Sequence, residues 1–326
     1  MIADASMELV LDFERPLVEL RRRIELLQTT EVANGLDLGA SIRELERQAE
    51  ALQRQILANL SPWQRTLLSR HPNRPYTLDY AADWLTDADE LHGDRAGHDD
   101  QAIVGMLGNF RGRPIVLIGH QKGRTTKENV VRNFGMALPD GYRKALRLMR
   151  LAERFGLPIV TLIDTPGAYP GLDAEARGQA EAIARNIMEM ATLRVPVVCC
   201  VIGEGGSGGA LALGVGNRVL MLENSTYSVI SPEGCAAILW RDRAEAPRAA
   251  EALKLTAEDC LRLGVADSLV AEPAGGAHRS PSETVRSLGD AVQAELDILC
   301  ALTADELTAQ RYDRFRKLGA IDDRGE

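Results

Sequence analysis

A glycine-rich loop is the first part of this sequence with residue types that catalysis uses. Gly203–Ala210 contains five glycines in eight residues, and it lies between the apolar strand Val195–Ile202 and a predicted helix of small residues. The first amide N–H groups of a helix have no partner within the helix, and they add to its dipole. Glycine lets an anionic oxygen approach such amides closely. We therefore expect this loop to stabilise an oxyanion or a phosphate, rather than only to allow tight packing.

The same loop matches the dinucleotide-binding pattern GxGxxG over Gly203–Gly208. That pattern normally occupies the first strand-to-helix turn of its fold, with an acidic residue about 20 positions later. Here the loop lies late in the chain, and Glu223 is a poor candidate for the acid. Dinucleotide binding is therefore the less favoured interpretation.

A second loop, Asp164–Gly171, directly follows the predicted strand Pro158–Asp164. Its Asp-x-x-Gly pattern also occurs in GTPases, but those enzymes need an upstream GxxxxGK[ST] loop. The nearest stretch, Gly119–Thr125, does not have that order of residues. Two prolines and two glycines instead predict a rigid loop at the carboxyl end of a strand, where α/β proteins bind ligands.

Positive charge precedes this second loop. Lys122 and Arg124 lie in Gly119–Arg124, and further basic residues follow as far as Arg154. A solvated helix face explains the later residues. Lys122 and Arg124 are either solvated side chains or a binding surface for phosphate or carboxylate groups, and the sequence leaves both interpretations equally open.

A third stretch, Thr226–Ala236, ends in a predicted helix. Ser231 is expected to cap this helix, with Pro232 at its first position. Glu233 is then better explained by its attraction to the helix dipole than by catalysis.

Composition and charge exclude several classes of protein. The 326 residues are 45% hydrophobic and 26% charged, as in ordinary globular proteins. The net charge of -9 and the aromatic content of 4% argue against nucleic-acid binding. No stretch approaches the roughly 20 apolar residues of a membrane span. The N-terminus lacks the basic region of a secretory signal, so we expect a cytoplasmic location.

The five cysteines include no CxxC pair, and their number is odd. Neither a zinc site nor a disulfide framework is therefore predicted. Cys199 and Cys200 are adjacent in an apolar strand and should point to opposite faces of the sheet. We expect both to be small buried side chains.

Strands and helices alternate around these loops. Apolar runs predict the following strands: Ala102–Leu107, Pro114–His120, Pro158–Asp164, Val195–Ile202, and the pair Arg218–Leu222 and Thr226–Ile230, which should pair with each other. Helices are predicted over about 141–155, 178–193 and 233–240. Parallel strands with crossover helices imply an α/β layer fold. The alternation leaves open whether the sheet is doubly wound or a spiral of ββα units.

Both ends of the chain are predicted to be helical. Apolar residues recur at helical spacing over Leu17–Leu27 and Ile42–Ile56, on either side of a break at Asn34-Gly35. This pattern predicts an antiparallel helical hairpin. From about Ser280 onward we expect a peripheral pair of helices.

Long runs of residues also identify a family. The sequence resembles, over nearly its whole length, the alpha subunits of the multi-subunit bacterial and plastid acetyl-CoA carboxylases. The matching runs are Arg74–Tyr80, Gly119–Arg124, Asn133–Met136, Gly141–Arg147, Ile163–Gly171, Gly203–Leu213 and Thr226–Cys235.

The resemblance implies a crotonase-like α/β fold, a spiral of ββα units with added N-terminal and C-terminal helices. It divides the chain into an N-terminal helical segment (1–85), a carboxyltransferase core (86–275) and a C-terminal helical tail (276–326). It also implies a reaction, in which a carboxyl group passes from carboxybiotin on the biotin carboxyl carrier protein to acetyl-CoA. The product is malonyl-CoA, for fatty acid biosynthesis.

The same resemblance implies partners and cofactors. The carboxyltransferase would contain two alpha and two beta subunits, and biotin carboxylase would complete the system. Biotin would be carried by a separate protein. Zinc would lie in the beta subunit, with no metal in this chain.

The family's pattern also assigns site residues. The amides of Gly208 and Gly209 match its alpha-side oxyanion hole, and Ala168 is the candidate for a second donor. They would stabilise the ureido oxygen of biotin as the carboxyl group leaves. The biotin enolate would then take the proton from the acetyl methyl, so that no side-chain base is needed. The expected substrate-binding residues are Gly167, Tyr169, Gly205, Gly206, Lys122 and Arg124.

Two other functions stay open beside this one. The chain could be a complete acyl-CoA hydratase or hydrolase of the crotonase type, which normally needs an acidic side chain facing the thioester. It could also be a non-catalytic scaffold, although a scaffold does not need two amide-rich loops.

Overall fold

The computed structural model describes residues 9–34 and 37–319. Residues 1–8, on which the expectation of no secretory signal rests, and Gly35 of the predicted break lie outside these ranges. Within the described ranges, eight strands form one sheet. They are β1 (Leu85–Glu90), β2 (Ile103–Phe110), β3 (Arg113–His120), β4 (Ile159–Thr165), β5 (Val197–Gly206), β6 (Arg218–Leu222), β7 (Thr226–Ser228) and β8 (Ser268–Val270).

The sheet is antiparallel at one edge and parallel elsewhere. Strands β1, β2 and β3 pair antiparallel, and the parallel part follows in the order β3-β4-β5-β6-β8. Arg111 and Gly112 have φ of 51° and 83°, which suits a tight hairpin turn. Strand β2 therefore continues to Phe110, beyond its predicted end at Leu107.

Strand β7 pairs with the last residues of β5, whereas β6 pairs with β5 and β8. The prediction that β6 and β7 pair with each other is therefore wrong. Strand β5 is ten residues long, so it has room for a partner at each of its ends.

Helices cover the sheet and form both ends of the chain. They are α1 (Arg15–Asn34), α2 (Gly39–Ala58), α3 (Pro62–Ser69), α4 (Thr77–Trp84), α5 (Thr126–Val131), α6 (Pro139–Phe155), α7 (Leu172–Ala176), α8 (Gln179–Thr192), α9 (Ser207–Leu211), α10 (Pro232–Leu239), α11 (Ala246–Leu253), α12 (Ala257–Arg262), α13 (Pro281–Leu299) and α14 (Ala304–Arg316). The long helix α6 begins with a proline and is ended by Gly156 in the left-handed conformation, as its sequence favours.

The two faces of the sheet bury different hydrophobic clusters. Side chains alternate along a strand, so Val116 and Ile118 enter the cluster beneath α6 and α8, while Ile115 and Leu117 enter the opposite one. Cys199 and Cys200 divide in the same way, and both are fully buried as predicted. Burial raises the pKa of the Cys199 thiol to about 11.

The C-terminal helices are part of the core. Leu288 and Leu296 of α13 are fully buried in the second cluster, together with Trp84 of α4. Arg311 of α14 is also fully buried and donates to the Leu193 carbonyl at 2.7 Å. The expectation of a peripheral helix pair is therefore wrong. These helices are polar in overall composition, but their apolar residues recur at helical spacing and form one buried face.

At the other end of the chain, α1 and α2 form the predicted antiparallel hairpin. Leu17, Ile24, Ile42 and Ala49 are buried between the two helices. The hydrogen bond from Gln28 to Glu46 also crosses the pair, at 3.4 Å.

Strand β1 was not predicted, because its sequence is mostly acidic and polar. Only Leu85 is buried, and the other five residues lie exposed at the edge of the sheet. The division of the chain at 85/86 and 275/276 stays a prediction. Trp84, Ile115 and Leu288 lie in one cluster, so packing is continuous across both boundaries.

Among the described residues, no helix is both long and apolar enough to cross a membrane.

We expect Leu288→Ala to lower the free energy of unfolding by about 2–5 kcal/mol, because it leaves a cavity under α13. Ile298→Ala is the matched control, since that side chain lies on the same helix and is 54% exposed. The control should change stability by only about 0.5 kcal/mol. Urea denaturation of the two variants measures both values, and equal small losses would contradict the assignment of α13 to the core.

Candidate active site at the ends of strands β4 and β5

The two loops singled out in the sequence lie against each other. Strands β4 and β5 are adjacent and parallel, so both loops leave the same edge of the sheet. A Cβ atom on Gly206 would lie 2.1 Å from the Pro166 carbonyl oxygen. A Cβ atom on Gly209 would lie 2.6 Å from the Gly167 carbonyl carbon and 2.7 Å from the Ala168 nitrogen. Only glycine permits this approach of two backbones.

Three amide N–H groups at this contact are free. In the described part of the chain, the N–H groups of Ala168, Gly208 and Gly209 donate to no other group. Their neighbours Gly167 and Tyr169 do use theirs, donating to Thr165 Oγ1 at 3.1 Å and to the Ala137 carbonyl at 3.1 Å. The three free donors can therefore receive an oxygen that carries or develops negative charge.

Gly167, Tyr169 and Gly205, three expected substrate-binding residues, have structural roles in the loops. Gly167 has φ of 153°, which side chains rarely adopt. The Tyr169 carbonyl accepts from Gln179 Nε2 at 2.9 Å. A Cβ atom on Gly205 would lie 3.0 Å from the Tyr227 ring. These residues therefore shape the loops, through a backbone conformation at Gly167, a hydrogen bond at Tyr169 and close packing at Gly205.

Strand β5 bulges where the two strands end. Ile163 pairs with Val201, but Thr165 pairs with Gly205. Strand β5 therefore advances by four residues over the stretch in which β4 advances by two. A bulge frees backbone groups from the ladder and changes the direction of the strand. Here it changes the direction of β5 at the point where the glycine loop Gly203–Ala210 begins.

Two side chains satisfy the backbone groups that the bulge frees. The Glu204 N–H donates to Asp164 Oδ1 at 3.1 Å. The Ile202 carbonyl accepts from Arg74 Nη2 at 2.9 Å. Arg74 is itself held by Glu272 at 2.7 Å, in an ion pair that is almost completely buried.

Lys122 lies between the two strand ends. Its Nζ donates to Asp164 Oδ1 at 2.8 Å and to Glu204 Oε1 at 3.0 Å, and its side chain is 12% exposed. Burial alone would lower the pKa of Lys122, but the two carboxylates outweigh it and raise that pKa above its usual value. Burial would likewise raise the pKa of Glu204, yet Lys122 and Arg70 hold it below its usual value. Lys122 and Glu204 are therefore both charged at neutral pH.

Arg70 and Glu233 extend this group of charges. Arg70 donates to Glu204 Oε2 at 2.8 Å and to Glu233 Oε1 at 2.6 Å. Ser231 caps α10 as predicted, because its Oγ accepts from the Gly234 N–H at 3.1 Å. Glu233 lies in the first turn of that helix, as expected, and it also anchors Arg70.

Arg124 is bound within the chain. It donates to the Arg74 carbonyl at 2.9 Å and to Asp79, and its guanidinium lies 4.1 Å from the centre of the Tyr76 ring. Its substrate-binding role stays a prediction, and the contacts favour an anchoring role instead.

His120 is the only histidine in a promising loop of the sequence, and its ring lies next to the backbone of Gly209. The imidazole is fully buried, and neither ring nitrogen makes a hydrogen bond of normal geometry. Burial is the main reason, followed by Lys122, that the pKa of His120 falls to about 3. The ring is therefore neutral at physiological pH.

Sequence reasoning missed Ser207, because it took the chain to contain no G-x-S-x-G pattern, which is wrong. The run Gly205–Gly209 has the G-x-S-x-G spacing of a nucleophile elbow, and Ser207 has φ of 52° at the strand-to-helix turn. A nucleophilic serine needs an adjacent base. No side chain in the described part of the chain hydrogen-bonds to the Ser207 hydroxyl, so the site has no nucleophilic pair of this kind.

One buried cluster has side chains that could hold a metal ion. Glu14, His71 and His278 place their donor atoms within 4.8 Å of one another. His71 Nδ1 already accepts the Asn73 N–H at 3.1 Å, and the Arg279 guanidinium lies 3.6 Å from the Glu14 carboxylate. Hydrogen bonds and the positive charge of Arg279 therefore account for this cluster, which lies by the N-terminal hairpin.

The two glycines at the start of α9 should respond differently to alanine. Gly209→Ala would push a methyl group into the Gly167–Ala168 peptide, so we expect a loss of about 1–3 kcal/mol in the free energy of unfolding. Gly208→Ala meets only Ile183, at 3.6 Å, and should leave stability unchanged or slightly raised. Thermal unfolding of both variants tests the contact, and equal effects would contradict it.

Comparison with known proteins supports a family assignment. The family model described as "Acetyl co-enzyme A carboxylase carboxyltransferase-like" matches residues 10–319. The chain is 57% identical to the acetyl-coenzyme A carboxylase carboxyl transferase subunit alpha of Anoxybacillus flavithermus over 309 residues, which is 95% of each chain. It is also 57% identical to the Thermus thermophilus protein of that name, covering 95% of this chain and 98% of the other.

Solved structures share the fold at low sequence identity. A transcarboxylase 12S structure superimposes with a TM-score of 0.56 at 19% identity, covering 78% of this chain and 44% of that one. A hetero-tetrameric Pseudomonas malonate decarboxylase gives 0.55 at 16% identity, covering 67% and 88%. These likenesses agree with the predicted crotonase-like α/β fold. By its sequence, this chain belongs to the family of acetyl-CoA carboxylase carboxyltransferase alpha subunits.

Proposed function

We propose that the free amides of Ala168, Gly208 and Gly209 form the oxyanion site for carboxyl transfer from carboxybiotin to acetyl-CoA. The chain is a carboxyl-transfer enzyme subunit by its family. The biotin group would arrive on the biotin carboxyl carrier protein, and the malonyl-CoA produced would serve fatty acid biosynthesis. The observation that carries this proposal is the presence of three unpartnered N–H donors where two glycine loops touch.

The donor set fits the chemistry of the group. When bound, biotin would supply the carboxyl group, and the three amides would stabilise the negative charge that its ureido oxygen develops. Fixed N–H donors stabilise such charge without reorganisation, and one donor is worth roughly 3–4 kcal/mol. Gly209 lies against the Gly167–Ala168 peptide, so the two donors are side by side before any substrate binds.

The charged side chains beside the loops do not supply a free base. Lys122, Asp164 and Glu204 are bound to one another, and His120 is enclosed. This arrangement supports catalysis by backbone donors rather than by a side chain of this subunit.

We further propose that a beta subunit completes the site, with two alpha and two beta chains, and that biotin carboxylase acts with them in the cytoplasm. Zinc would be held by the beta subunit and no metal by this chain. Large apolar side chains close to the loops support a covering partner: Leu172 is 83% exposed, and Val229 is 75% exposed. The structural neighbour malonate decarboxylase is itself a hetero-tetramer.

Reconstitution tests the shared site. The purified chain is mixed with a candidate beta subunit, and malonyl-CoA-dependent carboxylation of free biotin is followed, with each subunit alone as a control. We expect activity only in the mixture. Turnover by this chain alone would instead indicate a complete crotonase-type enzyme, and a stable but inactive complex would indicate a scaffold.

A proline substitution tests the amide of Ala168. Ala168→Pro removes the N–H, so kcat of the reconstituted enzyme should fall by about 100-fold to 1,000-fold. Ala168→Ser keeps the N–H and should retain most of kcat. Thermal unfolding confirms that both variants are folded, and equal rates for the two would refute the role of this donor.

A further inference from the structure

Five charged side chains lie in one connected group beneath the two loops, and the proposed chemistry uses none of them. The group consists of Arg70, Lys122, Asp164, Glu204 and Glu233. Lys122 is its centre, because its single ammonium bonds to carboxylates from both β4 and β5.

Stability does not explain such a group well. Taking charges out of water is expensive, and apolar side chains of similar volume often serve stability equally well or better. What an ion pair can add is a fixed geometry. Asp164 is 3% exposed and Glu204 is 9% exposed, so water screens their attraction to Lys122 only weakly.

The two carboxylates belong to the loops that carry the free amides. Asp164 precedes Ala168 by four residues, and Glu204 precedes Gly208 by four. Asp164 also accepts the Glu204 N–H, and a Cβ atom on Gly203 would lie 2.4 Å from its Oδ1. One carboxylate therefore connects Lys122 to the bulge that directs β5.

We propose that Lys122 is a positioning residue for carboxyl transfer: by holding Asp164 against Glu204, it sets the spacing between the amides of Ala168 and Gly209. This inference rests on the proposed function, since it assigns a role toward the same amides. It replaces the expectation that Lys122 binds substrate.

The loss of Lys122 would make this spacing depend on pH. The ammonium is faced by Asp164, Glu204 and the Tyr76 phenol, while Arg70 reaches Glu204 from the other side. Glu233 lies beyond Arg70, and Arg74 interacts with Asp164. Without the ammonium, two buried carboxylates face each other, which raises the pKa of one of them.

The direction of the effect follows from this rise. At higher pH both carboxylates would be ionised and would repel each other, so the loops would separate. As the pH falls, one carboxyl group would take up a proton and donate a hydrogen bond to the other. Activity should therefore recover toward acidic pH in the variant, relative to the wild-type enzyme.

The experiment uses the reconstituted complex with malonyl-CoA and free biotin. In Lys122→Met at pH 8 we expect kcat to fall by about 100-fold, as for a misplacement of roughly 1 Å, with KM unchanged for both substrates. The ratio of variant to wild-type kcat should rise as the pH is lowered from 8 to 6. Lys122→Met/Asp164→Asn should recover kcat and lose this pH dependence, because the introduced amide side chain would be neutral and keep an oxygen to accept the Glu204 N–H.

Lys144→Met is the matched control. Lys144 is a buried lysine that bonds to Asp99 at 2.6 Å and to the Asp100 carbonyl at 2.7 Å, and it makes no hydrogen bond to either loop, both of which lie within the described residues. It should lower the thermal unfolding midpoint but leave kcat and its pH profile as in the wild type.

Three outcomes would overturn the inference. The first is a raised KM with kcat retained in Lys122→Met, which would mean that Lys122 contacts substrate. The second is an unchanged kcat with an unchanged KM. The third is a lowered kcat whose pH dependence runs parallel to that of the wild type. If Lys122→Met does not fold, the double variant decides alone, because a lysine that contacts substrate could not be compensated by Asp164→Asn. An assembled but inactive wild-type complex would overturn the proposed function and this inference together.

Discussion

The close contact between the ends of β4 and β5 is the constraint on which the candidate site depends. Gly209 lies against the Gly167–Ala168 peptide with no room for a methyl group. This contact places amides from two loops side by side, although they are about 40 residues apart in the chain. A fixed set of donors is useful because it needs no rearrangement when charge develops.

The contact requires β5 to leave the regular ladder, and side chains replace the bonds that are lost. Asp164 takes the Glu204 N–H, and Arg74 takes the Ile202 carbonyl. Both of these side chains are neutralised by buried partners, Lys122 and Glu272. The bulge, the ion pairs and the free amides therefore form one structural unit. It lies at the edge of a sheet whose two faces are both packed against hydrophobic clusters.

Much of the fold could be predicted from the sequence, since apolar runs and helix caps are local signals. The strands near Pro114–His120 and Pro158–Asp164, the helix after Pro139 and the N-terminal hairpin are examples. Strand β1 and the buried face of α13 could not be predicted, because their residues are mostly polar and only the neighbouring elements decide which side is covered.

For the site, the sequence by itself determined which loops carry backbone donors, because the spacing of glycines after strands is a local property. It also determined the family, through long runs of matching residues. Only the tertiary structure decided that Lys122 and Arg124 have partners within the chain and that Asp164 bonds to Glu204. Partners so far apart in sequence are chosen by the register of the sheet, which no local pattern contains.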